Sequence, residues 1–292
     1  MNKHVSPSEL TATSRRSVDS IRAPLNFLRR QATKPAFLST AITGGAPEYH
    51  YETETHTVTI SDMRRIANGL SIDREGFELV RHATAVDAFY DDTIVKQTYV
   101  AETEEFLRRR FDASRVEIFD VTRRSDDGAG ADNPEGRRSP ASKLHVDYTA
   151  RSGPQRVKDI LGDDEAARLS ASGARIMQIN VWRPIRGPVA RSPLALADAS
   201  SIGQAELIAT DQVFPHRIGE IYNIAYSPSQ RWFYAPQMTP DEVLLIKGWD
   251  SLDDGRARFA PHGAFQLPET RIEAPARESI ELRAFIIIET PS

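Results

Sequence analysis

A mainly β fold with flanking helices, of the sandwich or jelly-roll type, is what three observations predict for this chain. Short segments rich in β-branched and aromatic residues recur through its second half, at 175–182, 205–214, 220–227, 232–235, 243–249, 258–265 and 279–289. Pro and Gly turns separate them, with few helical patterns between. No internal repeat, GxGxxG or phosphate loop points instead to a parallel α/β fold.

Taken from the N-terminus, residues 1–24 are rich in Ser, Thr and Arg with little apolar periodicity, and are expected to form a loosely held arm. A single domain over 25–292 is the expectation for the remainder. Residues 49–60 alternate with period two and read as a strand at a sheet edge. Residues 101–111 read as a helix, with Phe106 and Leu107 as its apolar patch and Glu104 and Arg108 at i, i+4 spacing. Residues 115–121 read as a strand, in which Phe119 falls out of phase with Val116 and Ile118. Between 123 and 143 there is almost no apolar residue, which predicts a long exposed loop that acts as a lid. A strand over 144–149 follows, then one or two short helices over 154–172 stopped by Gly173. Thr239-Pro240-Asp241-Glu242 has capping-box spacing and predicts one helical turn before the 243–249 strand.

Composition sets limits on function. The 292 residues are 40% hydrophobic and 27% charged, ordinary values for a chain that buries a sizeable core unaided. A formal charge of -4 argues against nucleic-acid binding, and the scattered Arg pairs and triplets, Arg123-Arg124 among them, read as solvated surface. With no cysteine, disulfides, thiolate metal sites, iron–sulfur clusters and cysteine nucleophiles are excluded together, so any metal is held by His and carboxylates. No apolar stretch has the length of a membrane span and the N-terminus lacks a secretory apolar region. A cytoplasmic enzyme with a small-molecule substrate, monomeric or homodimeric, is the expectation.

One constellation carries chemistry. In Leu144-His145-Val146-Asp147, strand periodicity places the His145 imidazole and the Asp147 carboxylate on one face, with Val146 turned away. With seven His and 41 acidic residues, roughly one such pair arises by chance, and His50-Tyr51-Glu52 is another. The later pair is favoured because a second suitable His follows it. His262 lies in the apolar run Phe259-Ala260-Pro261-His262-Gly263-Ala264-Phe265, where a lone imidazole needs a partner, either a backbone carbonyl or a metal. Two His and one carboxylate make the facial triad of non-haem iron(II), with positions left open for cosubstrate and oxygen. Further on, Arg277 and Ser279 share a strand face, and a buried guanidinium beside a hydroxyl is a receptor for a carboxylate such as the distal one of 2-oxoglutarate. Arg283 is a rival on the same face, and a pairing of Arg277 with Glu281 is the bland alternative.

Residues 70–289 resemble the fungal and bacterial hydroxylase/desaturase family that includes AsaB-like proteins and gibberellin desaturase. The resemblance is carried by Gly76-Phe77-Glu78-Leu79-Val80, His145-Val146-Asp147-Tyr148-Thr149, Asn180-Val181-Trp182-Arg183-Pro184, Pro193-Leu194-Ala195-Leu196 with Asp198, Arg231-Trp232-Phe233-Tyr234 through Lys247 and Asp250, His262-Gly263-Ala264-Phe265, and Arg277-Glu278-Ser279-Ile280-Glu281. It implies a double-stranded β-helix, cupin-like, with iron(II), 2-oxoglutarate and dioxygen chemistry that hydroxylates, desaturates or cyclises a small secondary metabolite. His145, Asp147 and His262 are then the expected iron ligands, with Arg277 and Ser279 on 2-oxoglutarate. Asn180 is expected to bond the cosubstrate or a metal ligand. Trp182, Arg183 and Tyr234 are candidates for the substrate pocket, against the plainer reading of aromatic core. Tyr148 is expected to be structural, and Lys247 and Asp250 to pair with each other. Two rivals share the ligands or the fold, a zinc-dependent hydrolase and a β-barrel that only binds a ligand.

Overall fold

Period-two alternation gives each strand two faces, and two sheets stack so that one face of each is dry. The computed structural model describes residues 19–134, 136–270 and 273–289. In chain order the strands are β1 (Ser20–Leu28), β2 (Ala36–Leu38), β3 (Glu48–Tyr49), β4 (Thr53–Asp62) and β5 (Phe77–Arg81). Then come β6 (Arg115–Ser125), β7 (His145–Val146), β8 (Arg175–Pro184), β9 (Leu194–Ala197) and β10 (Leu207–Phe214). The last five are β11 (Arg217–Ile224), β12 (Trp232–Tyr234), β13 (Glu242–Asp250), β14 (His262–Ala264) and β15 (Glu278–Ile288). A large sheet runs β1-β4-β12-β9-β14-β7-β11-β10-β2-β3 and a smaller one β5-β13-β8-β15-β6. Leu196 and Ala264 of the large sheet pack with Trp182, Leu244 and Ile246 of the small one, which closes the jelly roll.

The other face of the small sheet is covered by the helix Val100–Phe111 and the chain before it. Ile179, Val181, Leu245, Leu282 and Ile286 meet Leu107, Tyr99 and Phe89 there. That helix has Glu102 in its first turn and Arg108, Arg109 and Arg110 in its last, which complements the backbone dipole at both ends. Its Glu105 pairs with Arg108 and Arg109, so the surface ion pairs of this helix do not involve Glu104.

Phe119 falls out of phase because β6 carries a bulge. Asp120 is opposite Arg283 while Ile118 is opposite Ala284, so Phe119 is an extra residue. The bulge turns two consecutive side chains the same way: Asp120 reaches Arg283, and Phe119 packs on Phe285 at 4.7 Å between ring centroids.

Several expectations are corrected by the structure. Residues 20–24 are not part of a loose arm, since β1 pairs along its length with β4, from Ser20 opposite Ser61 to Leu28 opposite Thr53. The rest of the arm, 1–18, lies outside the described residues. The 49–60 strand is interrupted after Tyr49 and resumes at Thr53, and β4 is interior, between β1 and β12; the short β3 is the edge. The 123–143 loop begins later, because β6 continues to Ser125. Arg123 is buried rather than solvated, with Nε donating to the Phe89 carbonyl at 2.5 Å. Half of the Thr239 to Glu242 capping box forms, with Thr239 N donating to Glu242 Oε2 at 3.0 Å, while Glu242 N donates to the Thr239 carbonyl and the chain turns directly into β13. Strands β1, β2, β5 and β9 have no counterpart among the segments read from periodicity.

Behind β13, Lys247 is fully buried and donates to Asp250 (2.7 Å), Asp73 (2.9 Å) and the Ala257 carbonyl (2.8 Å), so its charge is compensated on three sides. Arg175 joins the same two aspartates. Burial opposes ionisation of Asp73, but Arg175 and Lys247 bring its pKa down to about 2.

Leu107→Ala, which empties a fully buried site, is expected to cost about 2–5 kcal/mol in chemical denaturation, against near zero for Arg109→Ala. Asp73 supplies stability that is complete above its ordinary pKa of 3.8 and lost as pH falls through about 2. Because that side chain is 44% exposed, the contribution is screened to below about 1 kcal/mol. Asp73→Asn should therefore melt slightly below the parent at neutral pH and together with it near pH 2.

Candidate metal centre

Two of the shortest strands meet at the site. β7 and β14 are antiparallel neighbours in the large sheet, and their register sets His145 directly opposite His262. Their rings lie 4.6 Å apart between centroids. Gly263 permits the approach: a Cβ there would stand 3.1 Å from Leu144 Cδ2 and 3.2 Å from the Lys143 carbonyl oxygen. That carbonyl is the one to which His145 Nδ1 is bonded, at 2.9 Å, and His262 Nδ1 is bonded likewise to the Ala260 carbonyl at 3.0 Å. Each backbone carbonyl fixes the tautomer, so Nε2 is the free nitrogen on both rings.

Asp147 follows His145 by one strand period. One ligand atom from each of His145, Asp147 and His262 lies within 4.8 Å of the other two. Asp147 Oδ1 is 3.5 Å from His145 Nε2, while Oδ2 points away and accepts from Asn180 Nδ2 at 2.7 Å and Arg283 Nε at 2.9 Å. Burial alone would lift the Asp147 pKa, but Arg283 and the two imidazoles hold it well below the usual carboxylate range. Burial, with His145 beside it, pushes His262 down to about 4, so this ring is a neutral donor at physiological pH. An ionised carboxylate and two imidazoles with free Nε2 atoms are a donor set suited to iron(II) or zinc.

The carboxylate is supported in turn by the small sheet. Asn180 Oδ1 accepts from Gln178 Nε2 at 2.6 Å, and both residues project from β8 on the face toward the metal ligands. Gln178 lies against Gly248, where β13 bulges; a Cβ at 248 would fall 1.8 Å from Gln178 Oε1. A chain of contacts thus runs from Gly248 through Gln178 and Asn180 to Asp147.

Arg277 stands just before β15, on the same face as Ser279, Glu281 and Arg283. It is 2% exposed, and none of Nε, Nη1 and Nη2 finds a hydrogen-bond acceptor among the described residues. Its guanidinium lies over the Trp182 ring, 5.6 Å from the centroid. Burial and the nearby Arg124 bring its pKa down to about 10. Arg283, by contrast, is saturated by Asp147, Asp120 and Glu281. The alternative pairing of Arg277 with Glu281 is not formed, because Glu281 turns to Arg283 instead.

The remaining sequence candidates divide by strand face. Trp182 is on the metal side of β8 beside Arg277. Arg183 is on the other side, bonded to Tyr99 Oη at 3.0 Å and to the carbonyls of Pro240 and His82 (2.6 Å to the latter), so it is a structural anchor and not a pocket residue. Tyr234 likewise packs on Phe265 and Trp232's face of β12, while its neighbour Phe233 faces the space between the sheets. Tyr148 contributes to both core and cavity wall. The cavity has a volume of about 1150 Å³ and reaches His145 and Asp147. Arg283, a rival to Arg277 by sequence, holds Asp147 and Asp120 instead, and Gln178 has no role in the sequence reading; its signal is the strand-face rule applied to its neighbour Asn180.

A family model described as an oxidoreductase/YMDC permease-like domain matches residues 25–287. The hydroxylase/desaturase efuI of Hormonema carpetanum is 33% identical over 92% of this chain and 96% of its own length. The Fe(II)/2-oxoglutarate-dependent dioxygenase nvfI of Aspergillus novofumigatus is 28% identical over 83% of this chain and 87% of its own. In fold, a solved structure of the iron and alpha-ketoglutarate-dependent endoperoxidase NvfI matches with a TM-score of 0.82 at 24% identity, over 94% of this chain and all of that one. The chain therefore belongs to the AsaB-like hydroxylase/desaturase family of non-haem iron(II), 2-oxoglutarate-dependent oxygenases.

Proposed function

We propose that His145, Asp147 and His262 hold iron(II), that Arg277 and Ser279 grip the distal carboxylate of 2-oxoglutarate, and that the cavity presents a small secondary metabolite for hydroxylation, desaturation or cyclisation. The observation that carries this reading is the orphaned guanidinium of Arg277. A buried cation without acceptors costs several kcal/mol, and a carboxylate ligand is the natural offset. A zinc hydrolase using the same three ligands has no use for that receptor.

Iron(II), 2-oxoglutarate and dioxygen together supply an oxidant able to take hydrogen from an unactivated carbon. The residues of the chain bind, orient and shield. Arg283 and Asn180 hold Asp147 Oδ2, so that Oδ1 alone is offered to the metal. Trp182 forms an apolar floor against Arg277 and keeps water from its charge. Residues 126–143, the remaining part of the 123–143 loop, end at the cavity mouth and serve as a substrate-responsive lid; equal protease sensitivity with and without substrate would count against this. The reading is completed by one domain that begins with β1 at Ser20, a cytoplasmic location and a monomeric or homodimeric state. No helix among the described residues is long and apolar enough to cross a membrane.

His145→Ala and His262→Ala are each expected to reduce succinate release from 2-oxoglutarate to background; retained release refutes the ligand assignment. Arg277→Leu is expected to raise the 2-oxoglutarate KM about 10- to 100-fold with little change in iron affinity. The same variant, free of metal and cosubstrate, should melt above the parent, because an unpaired buried charge is gone. Gly248→Ala, which displaces Gln178 and with it Asn180, is expected to weaken iron binding about 10- to 100-fold by calorimetry.

A further inference from the structure

Strand periodicity gives Lys143 the same orientation as His145 and Asp147. Residues 143, 145 and 147 all line the cavity, whereas Leu144 and Val146 are buried in the opposite layer. Two residues of strand span about 7 Å, so the Lys143 stem starts one side-chain length from the metal ligands. Among the described residues no carboxylate pairs with its ammonium. Instead Nζ lies over the ring of Tyr49 at 2.9 Å from the centroid, with Tyr51 at 5.1 Å.

Two other cations of the same cavity are held in this way. Arg156 lies over Phe119 at 5.2 Å and Arg217 over Phe214 at 4.8 Å, again with no carboxylate partner among the described residues. Elsewhere on this chain arginines and lysines mostly find acids: Lys34 takes Asp211 and Glu220, Arg231 takes Asp198, Arg258 takes Asp253. Within the cavity, Asp120 and Asp147 are taken up by Arg283 and Glu220 by Lys34, while Asp159 accepts from Gln155 Nε2 at 2.9 Å. A wall of cations resting on aromatic faces offers both positive charge and flat apolar surface to one guest.

The geometry points to a substrate that is an organic anion with a planar or apolar body, its acidic group held by Lys143 and its body by Tyr49 and Tyr51. This rests on the reading of the cavity as the substrate entrance of the oxygenase. A strand period separates Lys143 from His145, so the anion serves as the anchor and the carbon to be oxidised lies a few bonds away from it. Arg156 on the helix Ser152–Leu161 and the exposed Arg217 on β11 are not in the His145 to Asp147 segment, and draw the anion in rather than fix it.

The test uses the full chain loaded with manganese(II) and N-oxalylglycine, so that the Arg277 receptor is filled. Two dyes with one aromatic skeleton are titrated by fluorescence, the anionic 8-anilinonaphthalene-1-sulfonate and the neutral N-phenyl-1-naphthylamine. In Lys143→Met, which keeps the stem and removes the charge, the anionic dye should bind about tenfold more weakly while the neutral dye changes less than about twofold. Lys143→Arg should keep the preference for the anion, which separates loss of charge from loss of fold. Equal affinity of the anionic dye for parent and Lys143→Met, or an equal loss for both dyes, overturns the inference. The loading step reports on the oxygenase reading independently. Failure of manganese and N-oxalylglycine to raise the melting temperature of the parent counts against that reading, whatever the dyes do.

Discussion

The centre depends on one carboxylate being shared between two sheets. Asp147 belongs to the large sheet by its place after β7, yet its Oδ2 is held by Asn180 and Arg283 of the small one. Those bonds fix which oxygen faces the two imidazoles, and they do so from a low-dielectric interior where a charge-assisted bond is strong and an unmade one costly. The jelly-roll packing, the bulge at Gly248 and the bulge at Phe119 all serve this arrangement. Each delivers to the midline a group that a regular ladder would direct elsewhere.

The polar groups between the sheets fall into two sets. Arg283, Asn180, Asp120 and Glu281 are paired with one another or with Asp147 and form a rigid scaffold, which Gln178 joins through its Nε2. Arg277 and the Nε2 atoms of the two histidines are not, and it is these that face ligands. Unsatisfied groups in an otherwise complete network are where a folded chain stores binding capacity, since the cost of leaving them open is recovered only when the ligand arrives.

Much of this was legible in the sequence. Period two placed His145 with Asp147 and Arg277 with Ser279, because a strand leaves its side chains no choice of face. The pairing of Lys247 with Asp250 was legible only from opposite charge at close spacing, since residues three apart face opposite ways on a regular strand and the bulge between Lys247 and Trp249 brings them together. What could not be read was long-range register. That Arg283 rather than Arg277 would take up the carboxylates depends on β15 lying between β6 and β8, which no local pattern encodes. Arg183 and Tyr234 were placed in the pocket by their aromatic and cationic character, but each is one residue out of step with its inward neighbour, Trp182 or Phe233. The N-terminal strand was missed although Ala23, Leu25 and Phe27 alternate in it, because the polar arm was drawn to residue 24 and cut the strand in two; the residues that cover it, Val146, Ala195 and Trp232, lie far along the chain.

The extra residue in β6 has an evolutionary corollary. Asp120 and Phe119 are neighbours in sequence on one side of a sheet, so a single insertion or deletion in this strand would exchange an acid for an aromatic at the edge of the cofactor scaffold. A change of length is borne more cheaply outside the ladder, in segments such as 126–143 that end at the cavity mouth.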